Sequence, residues 1–224
     1  MLLQIPDLLD ANQLGSVRQY LDQADFVHGK ATAGKAAGNV KHNLELDRAA
    51  PMRDKLVEAV MSTLLAHRLF QAAAYPARVS TPIFARYTEG MGYGDHVDDP
   101  VMGEADGRYR SDVSLTLFLN DPDDYEGGEL TIDTAFGEQQ VKLPAGHVVL
   151  YPSSSRHRVE PVTSGERLVM VTWLQSQVRE PERRALLFDL WRAREQLLAE
   201  SPEDETTKRV DVSYVNLMRM WVET

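Results

Sequence analysis

His96 and Asp98 stand two positions apart in "YGDHVDDP", and His157 and Arg167 follow in "RHRVEPVTSGER". These are the residues whose types and spacing could do chemistry. If residues 93–99 are extended, alternation with period two puts His96 and Asp98 on one face. An imidazole nitrogen and a carboxylate oxygen can then bind one ion from adjacent directions. Asp95 and Asp99 point the other way, toward solvent. Of the remaining histidines, His28 and His42 flank a glycine-rich stretch, His67 lies on the polar side of a helix, and His147 follows a "PAG" turn. Each reads as a surface or structural residue. His157 differs, because it begins a strand after a serine-rich turn. The turn "PVTSGE" predicts a hairpin centred near Val162, which brings positions 157 and 167 opposite one another. A guanidinium beside a metal inside a barrel is costly unless an anion occupies the space. On a rim, Arg167 would instead pair with Glu160 or Glu166. Two histidines and a carboxylate on one face of an octahedron leave three open positions, the facial triad of non-haem Fe(II) oxygenases.

The chain has 224 residues and no cysteine, so disulfides, thiolate zinc sites and cysteine nucleophiles are excluded. Any metal must be held by His, Asp, Glu or water. The net charge of −10 argues against nucleic acid, whose phosphates call for basic surface. No apolar run approaches the ~20 residues of a membrane span. The start "MLLQIPDLLDANQ" lacks the basic and apolar parts of a signal peptide, which makes a cytoplasmic location the expectation.

The elements that must position these residues read as helices around a β core. Asp10 caps a predicted helix to about residue 24, and Pro51 opens a second to about residue 73. Between them, "HGKATAGKAAGNVKHN" (28–43) reads as a loop. Its "GKATAGKA" fits G-x-x-x-x-G-K, but Ala36 stands where a phosphate loop needs a hydroxyl. From Ser80, "TPIFARY", "SDVSLTLFL", "GGELTID", "EQQVKLP", "HVVLYP" and "RLVMVTWL" are short β-prone runs between turns, which suggest an all-β sandwich or barrel. Helical period returns over 181–200 and about 207–222. The apolar stripes there, including Leu187, Trp191, Leu198, Val215, Met218 and Trp221, predict packing on the core or on a second subunit.

Several of these stretches resemble one family. "YTEGMGYGDHVD", "SLTLFLND" with "YEGGEL", and "LYPSSSRHRVEPVTSGERLVMVTW" are similar to the metal-site segments of prolyl-4-hydroxylase-type Fe(II)/2-oxoglutarate dioxygenases. "VSTPIFARY", "LPAGHVVLYPSSS" and the helical tail resemble the bacterial PKHD-type hydroxylases, over nearly the whole chain. The resemblance implies an α+β protein with a mainly β core: a double-stranded β-helix (jelly roll) over about 80–176, with N-terminal supporting helices and a C-terminal helical extension. It implies a dioxygenase domain over 1–178 and an extension over 179–224. It implies that His96, Asp98 and His157 bind Fe(2+), that Arg167 binds 2-oxoglutarate, and that Tyr87 is a weaker candidate for the same co-substrate. L-ascorbate often keeps such iron reduced. The implied reaction couples oxidative decarboxylation of 2-oxoglutarate, to succinate and CO2, with hydroxylation of a small-molecule or peptide substrate by O2. Phe118 stands where some prolyl hydroxylases carry a tyrosine that reaches the co-substrate. The rival readings are a cupin-like metal hydrolase, which offers no role for Arg167, and a non-catalytic β-sandwich binding module.

Overall fold

In the computed structural model, which describes residues 1–32 and 37–223, strands Val113–Phe118 and Arg167–Ser176 pair antiparallel, from Val113↔Leu174 to Phe118↔Val169. They form the middle of an eight-stranded sheet. Val148–Pro152 and Leu3–Ile5 extend it on one side; Ile83–Tyr87, Leu44–Leu46 and Phe26–His28 extend it on the other, and Pro76–Val79 adds to the Arg167 strand. A five-stranded sheet runs in the order Gly137–Val141, Leu130–Thr134, His157–Val159, Gly92–His96, Lys41–His42. Two antiparallel sheets that enclose a common core make the expected jelly roll.

Period-two alternation explains why "VSLTLF" is buried along its whole length. Val113, Leu115 and Leu117 join the core between the large sheet and the helices, whereas Phe118 joins the core between the sheets. Ser114 and Thr116, on the same face as Phe118, line the cavity there. The Arg167 strand divides likewise: Leu168, Met170 and Leu174 face the helices, and Val169 and Val171 face the other sheet. Burying each such large side chain contributes about 1.5–3 kcal/mol.

Residues 41–46 belong to both sheets. Lys41 and His42 pair with Tyr93 and Gly92 in the small sheet, and Leu44 and Glu45 pair with Arg86 and Ala85 in the large one.

Helix α1 (Ala11–Gln23) begins on a capping box: the Asp10 carboxylate accepts from Gln13 N at 2.8 Å, and Gln13 Oε1 accepts from Asp10 N at 3.0 Å. The expected second helix is two helices, α2 (Arg53–Ala66) and α3 (Arg68–Ala74). His67 takes extended dihedrals (φ −75, ψ 119), and Gln71 Nε2 donates to the Leu65 carbonyl freed by the break, at 2.7 Å. Leu56, Val60, Leu64 and Phe70 face the large sheet's core. The C-terminal pair, α4 (Pro181–Glu200) and α5 (Glu205–Trp221), closes over Tyr75, Val178 and Leu187, against which Tyr214, Leu217, Met218 and Trp221 pack. Arg194 joins the two helices through Asp211 at 2.6 Å. Among the described residues, no helix is long and apolar enough to cross a membrane.

The hairpin expected near Val162 does not form. Val162–Gly165 pairs with Tyr125–Gly127 instead, and His157–Val159 pairs with the Leu130 and Gly92 strands. Pro161 has no N–H to extend a ladder, and Gly165 turns the chain at φ 76. His157 and Arg167 therefore reach the interior from different sheets. Of the glycine-rich stretch, Gly29–Thr32 and Ala37–Asn39 form short 3-10 turns; residues 33–36, with the rest of the phosphate-loop match, lie outside the described residues.

Candidate functional site

His96 ends the strand Gly92–His96 and faces its cross-strand partner His157. Asp98 follows two residues beyond His96, so its carboxylate returns to the same side. One ligand atom from each of the three residues lies within 4.8 Å of the others. His96 Nε2 is 4.0 Å from Asp98 Oδ1, and His157 Nε2 is 3.9 Å from Asp98 Oδ2. Each imidazole is oriented from behind: His96 Nδ1 donates to Gly94 O at 2.8 Å and His157 Nδ1 to Ser155 O at 3.0 Å. Such bonds fix the tautomer that leaves Nε2 free to ligate. The Tyr93 ring stacks on His96 at 3.7 Å, and Tyr151 meets His157 edge-on at 5.1 Å. Burial, aided by neighbouring His157, pushes the His96 imidazole down to about 4. It is therefore neutral at neutral pH, as metal ligation requires.

The carboxylate is held as well. Ser114 Oγ donates to Asp98 Oδ2 at 2.5 Å and lies 2.8 Å from Ser153 Oγ. Asp95 turns outward to Arg158 at 3.6 Å, and Asp99 is likewise exposed, at the border of the cavity.

Arg167 reaches the same interior from the large sheet. It is 1% exposed, and its Nε and Nη1 have no hydrogen-bond partner. Its guanidinium carbon lies 5.0 Å from the centre of the Tyr87 ring and 5.6 Å from that of Phe118. The rim pairing does not occur: Glu160 pairs with Arg158 at 2.6 Å and Glu166 with Arg86 at 3.3 Å. A buried cation on two aromatic faces, with donors unsatisfied, is matched to an incoming anion.

One cavity of about 790 Å³ takes in the three-residue cluster, Arg167 and Tyr87. Its remaining wall includes Lys41, Asn43 and Glu45, side chains that alternate along the crossing segment, with Lys41 and Glu45 ion-paired. Sequence reasoning missed Ser114 and this polar row. The alternation in "VSLTLF" is the signal that puts Ser114 on the interior face; the short strands of residues 41–46 give no comparable one. His28, His42, His67 and His147 stay outside the cluster, as expected.

A jelly roll with this interior is the architecture of Fe(II)- and 2-oxoglutarate-dependent oxygenases, and the family described as the 2OG-Fe(II) oxygenase superfamily matches residues 82–175. The fold is shared with a Pseudomonas putida prolyl-4-hydroxylase (TM-score 0.52, 24% identity, 78% of this chain and 92% of that one). It is also shared with HygX from Streptomyces hygroscopicus, solved with nickel, 2-oxoglutarate and hygromycin B (TM-score 0.56, 16% identity, 78% and 82%). Within the superfamily, the chain belongs to the PKHD-type hydroxylases. The PKHD-type hydroxylase C-terminal domain matches residues 182–223, and a PKHD-type hydroxylase of Thioalkalivibrio sulfidiphilus is 54% identical over 223 residues, covering 100% of both chains. The protein is an oxidoreductase that uses Fe(II) and 2-oxoglutarate.

Proposed function

We propose that His96, Asp98 and His157 hold the Fe(II), that Arg167 pairs with the distal carboxylate of 2-oxoglutarate above the Tyr87 ring, and that the rest of the cavity admits the substrate to be hydroxylated. The observation that carries this reading is the buried, unsatisfied Arg167 guanidinium in the same cavity as the three ligands. The residues fit the group. With neutral imidazoles, the charges of Asp98, Arg167, a divalent ion and a dicarboxylate sum to zero, so the closed site buries no net charge. A zinc hydrolase gives the buried Arg167 guanidinium no task.

Fe(II), when bound, supplies the O2-activating centre that couples decarboxylation of 2-oxoglutarate, to succinate and CO2, with hydroxylation. This chain's residues set the conditions for it. The Gly94 and Ser155 carbonyls hold the imidazole tautomers, and Ser114 aims the carboxylate. The three ligand side chains are only 5–7% exposed, which limits water at the centre. Arg167 positions the co-substrate through a planar fork that lysine lacks. The wall formed by residues 100–110, and that formed by residues 28–43 apart from 33–36, are the candidate covers.

Three finer assignments belong to this reading. Ascorbate maintains the reduced metal, by family resemblance; the protein works in the cytoplasm on a small molecule or peptide; and residues 179–224 form a helical extension that also serves a homo-oligomer. Succinate release from 2-oxoglutarate with Fe(II), screened against metabolites and peptides, tests the function. A protein that binds 2-oxoglutarate with no metal requirement, or turns over no 2-oxoglutarate with any substrate, overturns it.

A further inference from the structure

The interior face of the strand Arg167–Ser176 serves as a ruler along the cavity. Alternation puts Arg167, Val171 and Trp173 on its wall. From Arg167 to Trp173 is roughly 20 Å of strand. Trp173 stands opposite Ser114, whose hydroxyl holds Asp98, so the three-ligand cluster sits toward the Trp173 end. The ladder then continues outward, with Leu174 opposite Val79 and Gln175 opposite Arg78. Arg78 therefore lies past the cluster, on the side away from Arg167.

The wall there is cationic, for Arg48, Arg53 and Arg78 all line the cavity. Arg53 reaches Pro82 O at 3.5 Å and Asp54 Oδ1 at 3.4 Å, both long for hydrogen bonds. Its side chain is nevertheless only 15% exposed, whereas that of Asp54 is 98% exposed. Pro82 precedes Ile83, the partner of Val171, which sets Arg53 toward the same outer end. Arg78 is exposed; its Nη1 donates to Arg108 O at 3.2 Å, and its guanidinium carbon lies 6.0 Å from the centre of the Tyr109 ring. Arg48 is exposed too, and among the described residues neither it nor Arg78 pairs with a carboxylate. The acids on the wall do not answer these three cations. Glu45 pairs with Lys41, Asp98 belongs to the cluster, and Asp99 is left at the border. In a chain of 34 acidic and 24 basic residues, the bias is reversed at this opening. Guanidinium forks gathered beside a cleft attract and orient carboxylate or phosphate groups.

Resting on the co-substrate reading above, we propose that the substrate is an anion. Its carboxylate or phosphate is held by Arg48, Arg53 and Arg78 at the outer end, while the carbon to be hydroxylated reaches the ligand cluster. Binding energy from that remote group fixes the position of the reacting carbon. The cavity thus has two anion seats with the cluster between them: Arg167 inside for the co-substrate, and the arginine wall outside for the substrate.

The test uses the full-length protein with Zn(II) and saturating 2-oxoglutarate, so that Arg167 is already occupied. Four probes of similar shape are compared by 19F line width: 4-fluorobenzoate, 4-fluorophenyl phosphate, 4-fluorobenzyl alcohol and 4-fluorobenzylamine. At least one anion should bind about ten-fold or more tighter than the alcohol, the scale of one charge-assisted hydrogen bond, and the amine should bind most weakly. Whichever anion leads assigns carboxylate or phosphate. The triple variant Arg48→Gln, Arg53→Gln, Arg78→Gln should erase the preference and keep parent affinity for 2-oxoglutarate. Arg48→Gln and Arg78→Gln alone, both at exposed positions, should each cost the preferred anion about three-fold, which keeps the test decisive if the triple variant does not fold. Anions that bind the parent no better than the alcohol, or a preference that survives these substitutions, overturn the proposal. A parent that does not bind 2-oxoglutarate sinks the co-substrate reading itself, and the proposal falls with it.

Discussion

Removing one hydroxyl should weaken the metal site from behind. Ser114→Ala deletes the 2.5 Å donor to Asp98 Oδ2, at a position 2% exposed where solvent does not compete. That hydrogen bond exists with or without the metal, so most of its energy cancels between the free and loaded protein. What the loaded state loses is a carboxylate already aimed. Re-immobilising one freed side chain costs about 0.5–1.5 kcal/mol, roughly two- to thirteen-fold in affinity. Deleting the residue that supports a metal ligand usually costs about 10–100-fold. The overlap sets the expectation near ten-fold, or about 1.4 kcal/mol. The metal-free variant should also melt earlier, because its buried carboxylate is one donor short, by about 1–3 kcal/mol. Mn(II) calorimetry on the parent, Ser114→Ala and Ser114→Thr is the assay, and threonine should restore binding because it keeps the hydroxyl. Parent-like Mn(II) affinity in the alanine variant refutes the reasoning: Asp98 would then need no support from Ser114, or would not be a ligand.

Asp98→Ala should abolish tight iron binding and 2-oxoglutarate turnover while the melting transition survives; unchanged iron occupancy, measured by elemental analysis, rules out the triad as assigned. Arg167→Leu should cost about 2–5 kcal/mol of 2-oxoglutarate binding, roughly thirty-fold to several-thousand-fold. Iron affinity should hold and Arg167→Lys should rescue in part, both read at saturating iron without oxygen. Ending the chain at residue 178 removes Leu187 (0% exposed) and Phe188 (4% exposed) and uncovers Tyr75 and Val178. Soluble yield and light scattering should therefore report aggregation, and a soluble, fully active truncation contradicts this.

Chemistry was easier to read from the sequence than geometry. His96 and Asp98 were legible because two positions on extended backbone always share a face, whatever the sheet around them. His157 and Arg167 line one cavity, but not as the cross-strand neighbours that the turn predicts. A turn-like "PVTSGE" predicts local pairing, but Pro161 and the longer strands Leu130–Thr134 and Val113–Phe118 captured the flanking segments for different sheets. The β-prone runs from residue 83 onward were legible through their alternation. Strands of two or three residues, such as Lys41–His42 and Leu44–Leu46, carry too little pattern to find, and they exist because tertiary partners complete their ladders. The break at His67 was invisible for a related reason. Helical period runs across it, and the side chain of Gln71 takes up a carbonyl that the interruption frees.

The segment 41–46, shared by both sheets, makes the sandwich a purse sewn shut along one seam. The rungs Lys41↔Tyr93 and Leu44↔Arg86 lie three residues apart, so separating the sheets along that edge would require stripping one set or the other. Tyr93 in the first rung is also the ring stacked on His96, so play at the seam would be felt at that imidazole itself. Dilation of the cavity is thereby displaced elsewhere on its wall. The hairpin of Val101–Met102 and Tyr109–Arg110 pairs with neither sheet and has only two rungs of its own. A visiting molecule meets a container stitched by two ladders on one side and closed by a two-rung hairpin on another, and that contrast bears on its direction of approach.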